Sequence, residues 1–145
     1  MKKLVALGVF LASFQMANAQ VEIKTNPVAI LFEALPVSVE YLINDSWGME
    51  LDAFVASGGG ALYLSGKHYF SPTKGADGFN LGTFVGGLGG DGDSGFGLGF
   101  FAGYKAVSSK NVLLEIALGI GRDFTGDIEV LPFGKLHVGY RFGGK

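Results

Sequence analysis

Alternation of apolar residues with small or polar ones is the dominant pattern of this chain. It is clearest in GFGLGFFAGYK, residues 95–105, where glycines at positions 95, 97, 99 and 103 are separated by Phe, Leu, Ala and Tyr side chains. A period of two is the period of a β-strand, because successive side chains point to opposite faces. A phosphate-binding glycine loop would lead into a helix, whereas residues 106–111 are typical of a turn. The segment therefore predicts a strand that is apolar on one face and nearly bare on the other.

The same alternation recurs along the chain and predicts eight strands separated by turn residues. They are predicted at residues 21–32, 37–43, 47–55, 61–70, 79–87, 95–105, 112–121 and 135–142. In the first of them the alternation changes phase at Asn26-Pro27, which predicts a bulge or a break because proline cannot donate to a sheet ladder. No apolar periodicity of 3.6 residues is present. The pattern predicts an all-β fold, an eight-stranded antiparallel up-and-down transmembrane β-barrel in one domain over residues 20–145.

The first 19 residues are typical of a secretory signal peptide. Lys2 and Lys3 precede an apolar run over residues 4–14, and Ala17-Asn18-Ala19 forms an A-x-A cleavage site. The run is too short to span a bilayer. Cleavage would leave 126 residues with 9 basic and 13 acidic side chains, and this net charge of −4 argues against a nucleic-acid partner. With no cysteine in the chain, disulfides do not stabilise the fold.

Composition indicates which face of the barrel is outside. A soluble barrel of the lipocalin type needs a charged exterior, but only 17% of residues are charged and 25 of 145 are glycine. A membrane barrel turns its apolar face to lipid and has aromatic residues near its strand ends. Such aromatics are found at Trp47, Phe70, Phe79, Tyr104 and Tyr140. The composition favours the membrane barrel, and a secreted soluble barrel that binds a small apolar ligand is the alternative.

A family resemblance points the same way. The signal peptide, the eight short alternating strands and the closing KLHVGYRF resemble small bacterial outer-membrane β-barrels of the OmpX class. VEIKTNPVAILF, followed by VSVEYLINDSWGMELDAF, is similar to uncharacterised outer-membrane barrel proteins catalogued as domains of unknown function. In the broader class the chain ends on an aromatic residue that the barrel-assembly machinery reads. Here Gly143-Gly144-Lys145 follow Phe142, which is a departure from that pattern.

Some eight-stranded outer-membrane barrels modify lipids, so the resemblance makes pairs of a nucleophile and a base relevant in this sequence. His68 lies three residues from Ser65, so the two side chains are expected on opposite faces of a strand. Ser65 and Lys67 share a face, but a Ser-Lys pair has many accidental matches. His137 has no hydroxyl neighbour on its own face. We expect no enzymatic activity, and a lipid-modifying enzyme is the less favoured alternative.

One short segment resembles a metal-binding repeat. GGLGGDGDSG contains G-G-x-G-x-D ending at Asp91, the opening of a calcium-binding β-roll repeat. A true site needs stacked copies and an apolar residue where Asp93 stands. We therefore expect a polar loop there, with Asp91 and Asp93 as weak candidate ligands, and no cofactor or metal in the protein.

Charged residues on the small-residue face are expected to meet inside the barrel. If the turns at Asn44, Pro72 and Ser109 share the periplasmic end, six charges fall near that end, and Asp52 and His137 lie above them. The full predicted network is Glu40, Glu50, Asp52, Lys67, Lys105, Glu115, His137 and Arg141. Because buried charges persist only when they are paired, this predicts a neutralising network that plugs the lumen.

These inferences combine into one functional prediction. We expect a monomer of the cell outer membrane, in contact with outer-membrane lipid and inserted by the barrel-assembly machinery. A structural or interaction role in the envelope is expected, without enzymatic activity and without nucleic acid.

Overall fold

The fold is a closed antiparallel β-barrel. The computed structural model describes residues 20–92, 94–125 and 129–143. Its elements are β1 Gln20–Thr25, α1 Pro27–Leu31, β2 Leu35–Leu42, β3 Trp47–Ala56, β4 Gly59–Tyr69, β5 Gly78–Gly90, β6 Gly95–Val107, β7 Val112–Asp123 and β8 Val130–Phe142. Each strand pairs with its neighbours in sequence, and β1 pairs with β8. The predicted eight-stranded up-and-down β-barrel is confirmed, whereas the predicted signal peptide lies outside the described residues.

Closure of the barrel is accompanied by a stagger of the strands. If each residue is traced to its cross-strand partner on the next strand, the path that starts at Glu22 on β1 passes through β2 to β7 and reaches Leu131 on β8. Glu22 itself pairs with Arg141, ten residues further along β8. Such a stagger is what tilts the strands of a barrel against its axis.

The connections between neighbouring strands define the two ends of the barrel. We call the end with residues 43–46, 70–77 and 108–111 the lower end, and the opposite end the upper end. In the first lower turn, Asn44 Oδ1 accepts hydrogen bonds from the N–H groups of Ser46 at 2.8 Å and Trp47 at 2.9 Å. This side chain therefore supplies the turn geometry that its residue type favours.

The strands have the two faces that the alternation predicts. On β6, buried and exposed residues alternate without interruption from Gly95 to Val107, and the glycines point inward. Large apolar side chains point outward around the barrel, with Phe100 67% exposed and Leu118 72% exposed. The outer face is consequently apolar, and the inner face combines glycine with charged and aromatic side chains.

The first strand is shorter than predicted. It ends at Thr25, and residues after it form the one-turn helix α1 instead of continuing as a strand to residue 32. Asn26 caps this helix, because its Oδ1 accepts from the N–H groups of Val28 at 3.0 Å and Ala29 at 3.1 Å. Pro27 at the first helical position costs no hydrogen bond. The predicted break is thus present, but the prediction that the strand continues beyond it to residue 32 is wrong.

The last strand is longer than predicted. β8 begins at Val130, not at residue 135, and its added residues Leu131 and Phe133 face inward.

An aromatic cluster fills part of the interior. Phe84, Phe101 and Phe133 are buried, with stacked rings whose centroids lie 4.4 Å apart for Phe84–Phe133 and 4.9 Å apart for Phe101–Phe133. Tyr63 meets Phe84 and Phe133 edge-on at 5.7 Å. Inward glycines make room for these rings, because a Cβ on Gly99 would lie 2.7 Å from Cζ of Phe84.

Exchanging this glycine for alanine tests its packing role. We expect Gly99→Ala to lower the free energy of unfolding by about 1–3 kcal/mol, since the added Cβ would also press against Gly121 Cα on β7. Gly66→Ala on β4 is the matched control, because a Cβ there meets nothing within 4 Å. Urea titration of both variants in lipid vesicles measures the difference. Equal stability of the two would contradict this packing role.

Candidate functional site: a buried charge cluster

Ten charged side chains meet inside the barrel and form its most distinctive polar feature. We call them the charge cluster. They come from seven of the eight strands and are Glu22, Lys24, Glu40, Glu50, Asp52, Lys67, Lys105, Glu115, Lys135 and Arg141. Nine are buried, and the side chain of Asp52 is 16% exposed. The alternation of their strands points all of them to the same interior.

Two lysines hold the centre of the charge cluster. Lys24 Nζ contacts carboxylate oxygens of Glu40 and Glu50 and lies 2.5 Å from Glu115 Oε2. Lys67 Nζ contacts the same three glutamates, at 2.9 Å from Glu40, 2.9 Å from Glu50 and 2.5 Å from Glu115. Three carboxylates are therefore bridged by two ammonium groups. Each ammonium has three donors, which matches three acceptors.

The remaining bases pair the acids at the edge of the charge cluster. Lys105 Nζ lies 2.6 Å from Glu22 and 2.9 Å from Glu40. Arg141 donates to Glu22 Oε1 through Nε at 2.9 Å and Nη2 at 2.6 Å. Lys135 contacts Glu50 and lies 3.2 Å from Asp52. The charge cluster thus contains five basic and five acidic groups and has no net charge.

Apolar and polar groups close the lower side of the charge cluster. Tyr69 donates from its hydroxyl to Glu40 Oε1 at 2.6 Å and packs with buried Leu42 and Ala76. Arg141 Nη1 and Nη2 donate to the carbonyls of Lys74 at 2.7 Å and Ala76 at 3.1 Å. The loop over residues 70–77 is thereby held across the lower end of the barrel.

Asp77 fixes the shape of that loop. Its carboxylate accepts from the Thr73 N–H at 2.6 Å, the Lys74 N–H at 3.0 Å and the Thr73 hydroxyl at 2.9 Å. Burial alone raises the pKa of Asp77, but these hydrogen bonds stabilise the ionised form and bring the pKa below its ordinary value. The loop is therefore best held when Asp77 is ionised.

All eight residues of the predicted network face the interior. Seven of them join the charge cluster by ion pairs, and His137 borders it, with Nε2 3.8 Å from Asp52 Oδ1. The predicted network lacks Glu22, Lys24 and Lys135. The alternation does indicate that these three side chains face the interior, because Glu22 and Lys24 alternate with Val21 and Ile23, and Lys135 shares the parity of His137.

The candidate catalytic residues do not form a nucleophile and base pair. Ser65 is buried and faces inward, whereas His68 lies on the outer face between the rings of Trp47 at 4.5 Å and Phe70 at 4.7 Å. Lys67 shares the face of Ser65, but its ammonium contacts three carboxylates. A lysine held charged in this way is a poor general base.

Of the two candidate metal ligands, the structure describes Asp91. Asp91 is exposed at the upper end, where its N–H donates to the Gly58 carbonyl at 3.0 Å, and Asp93 lies outside the described residues. Within the described parts of the chain, two groups have oxygen or nitrogen atoms close enough for one ion: Glu50, Asp52 and His137, and Glu40, Glu50 and Glu115. Lysines already neutralise their glutamates, so a cation would have to displace ammonium groups.

Comparison with known proteins gives no relative of this chain. No family model matches the sequence, and neither a curated protein nor a solved structure matches it. Across the residues that the structure describes, no helix is long and apolar enough to cross a membrane. The interpretation of the charge cluster therefore rests on its own chemistry.

Removal of a central lysine tests the role of the charge cluster. We expect Lys67→Met to lower the free energy of unfolding by about 3–5 kcal/mol, because it leaves three buried carboxylates with too few cations. Adding Glu115→Gln removes the one excess negative charge that the loss of Lys67 leaves, so the double variant should recover part of the loss. Lys110→Met is the control, since Lys110 is exposed in a lower turn. Urea unfolding in vesicles compares them, and a Lys67→Met variant as stable as Lys110→Met would refute the role.

Proposed function

We propose that this protein is a small outer-membrane β-barrel, exported by its signal peptide, with a blocked lumen and a structural or interaction role in the cell envelope. One observation carries the proposal: the outer face of the barrel is apolar and its interior is charged. Apolar side chains point away from the barrel, while the charge cluster lies inside it. A protein folded in water has the opposite arrangement.

The outer face has the chemistry that lipid requires. Exposed Leu, Ile, Val and Phe side chains cover the strands, with Leu114, Ile116, Leu118 and Ile120 on β7 all at least half exposed. Each strand pairs with both of its neighbours, which leaves little of the sheet edge open to hydrocarbon; the exception is the stretch above Thr25, where the helix α1 contacts β2 and β8. Strands β3 to β8 are 10–13 residues long, which suits a tilted crossing of the bilayer.

The soluble alternative is less consistent with the interior. A secreted barrel around an apolar ligand needs an apolar lumen and a charged exterior. Here the charge cluster and the aromatic rings occupy the lumen, and the outer face is apolar. The lipid-modifying enzyme is also less favoured, because Ser65 and His68 lie on opposite faces and Lys67 is neutralised by carboxylates.

The blocked lumen supports a role other than transport. An eight-stranded barrel is only wide enough for its side chains to fill, and here the charge cluster and the loop over residues 70–77 occupy its lower half. Outer-membrane lipid and, during insertion, the barrel-assembly machinery are the partners we propose. We propose a monomer that does not bind nucleic acid.

A charge on the outer face tests the proposal. Leu118→Arg should destabilise the folded protein by about 2–4 kcal/mol if position 118 lies near the middle of the bilayer. Ser109→Arg, in an exposed lower turn, should have no such effect. Both are refolded into vesicles and scored by gel mobility before and after heating, because folded membrane barrels resist SDS until boiled. Equal folding of the two variants, or recovery of the wild type from the aqueous fraction without detergent, would refute the proposal.

A further inference from the structure

The barrel wall has a gap beside β1. This strand ends at Thr25, which pairs with Val138, so the part of β8 above Val138 has no partner on that side among the described strands. The neighbouring edge of β2 begins at Leu35, and proline occurs on both edges, as Pro36 and Pro132. Proline is tolerated at such unpaired edges because it has no N–H to donate. The helix α1, none of whose residues is buried, lies next to this gap.

A cavity of about 160 Å³ lies at this gap and reaches the charge cluster. Apolar groups form its walls, including Phe54, Tyr63 and Phe133, and Asp52, Lys135 and His137 line its polar side. An engineered apolar cavity of roughly 150 Å³ binds benzene. The cavity is therefore large enough for one aromatic ring.

The polar side of the cavity has hydrogen-bonding capacity that the described residues do not use. Oδ1 of Asp52 has no hydrogen-bond partner among them, and the ring of His137, a residue that is 6% exposed, faces it. His137 Nε2 and Asp52 Oδ1 are 3.8 Å apart, which is too long for a direct hydrogen bond. A single hydroxyl oxygen between them is within reach of both. It can donate to the carboxylate and accept from an imidazole N–H.

The charge of the surroundings limits the ligand. The charge cluster is neutral without any addition, with Lys135 already shared between Glu50 and Asp52. A charged ligand would leave an uncompensated buried charge, which is costly. We propose that the cavity binds a small neutral molecule with one hydroxyl group on an aromatic or similarly sized apolar body. The hydroxyl bridges Asp52 and His137, and the apolar body contacts Tyr63 and Phe133. The cavity keeps this chemistry whether lipid or water surrounds the barrel.

The two histidines of the chain provide an internal control for a binding test. His137 lines the cavity, whereas His68 lies on the outer face. The full protein with ¹³C-labelled histidine, in lipid nanodiscs, is titrated with phenol and followed by NMR. We expect the His137 signal to shift saturably, with a Kd on the order of 1 mM for so small a ligand. The His68 signal should shift only in proportion to phenol dissolved in the lipid.

Two comparisons define the chemistry. Toluene, which lacks the hydroxyl, should bind about tenfold more weakly than phenol, and positively charged benzylammonium should also bind more weakly. Toluene or benzylammonium binding as tightly as phenol would overturn the assigned ligand class. A His137 signal that never saturates, or that follows His68, would overturn the site itself, whether or not any variant folds.

A cavity-filling variant locates the site. Ala61→Leu fills the cavity from β4 and should weaken phenol binding at least tenfold, while Ala102→Leu on the outer face should leave it unchanged. Heat-dependent gel mobility checks that both variants are folded. Saturable binding that is unchanged in folded Ala61→Leu would place phenol elsewhere and refute the proposal. If Ala61→Leu does not fold, Asp52→Ala replaces it, because alanine has no acceptor for the hydroxyl, and unchanged phenol affinity in that variant has the same consequence.

Discussion

Pairing of buried charge is the interaction on which the rest of this structure depends. Lys24 and Lys67 each contact the carboxylates of Glu40, Glu50 and Glu115, which come from β2, β3 and β7. Each partner satisfies a charge that would otherwise be very costly in the interior. The ion pairs therefore connect strands on opposite sides of the barrel and oppose any change of register, since a shift of one residue would turn these side chains outward.

The small residues of the inner face follow from the size of the groups that cross the lumen. A Cβ on Gly139 would lie 2.7 Å from Lys24 Cγ, and one on Gly121 would lie 2.8 Å from Phe84 Cζ. Glycine at these positions allows long charged chains and aromatic rings to fill a narrow barrel. The outer face has no such requirement, so it can be uniformly apolar. This division of residue types by parity also explains why the sequence is hydrophobic in composition although it contains many charges in its interior.

Local alternation was sufficient to predict the fold and the facing of nearly every strand, because a period of two assigns each residue to one side. It could not predict which charges pair, since the contacts of Lys24 depend on the stagger of all eight strands. The second half of the predicted first strand is not a strand, and the cause is local: Asn26 is the cap of a helix and Pro27 is its first residue. The sequence contains this signal, but the change of phase in the alternation predicts only a break. A turn at Pro72 could be predicted, but not that the loop over residues 70–77 is held across the lower end, because Arg141 holds it from the far end of the chain.

The central claim is that lipid surrounds the apolar face, and site-directed spin labelling tests it most directly. The chain has no cysteine, so a single cysteine at position 118 or at position 109 carries the only label. In vesicles, the label at 118 should be accessible to oxygen and protected from a water-soluble nickel chelate, because oxygen concentrates in hydrocarbon and the chelate is excluded from it. The label at 109, in a lower turn, should show the reverse. Equal access of the chelate to both labels would contradict the account.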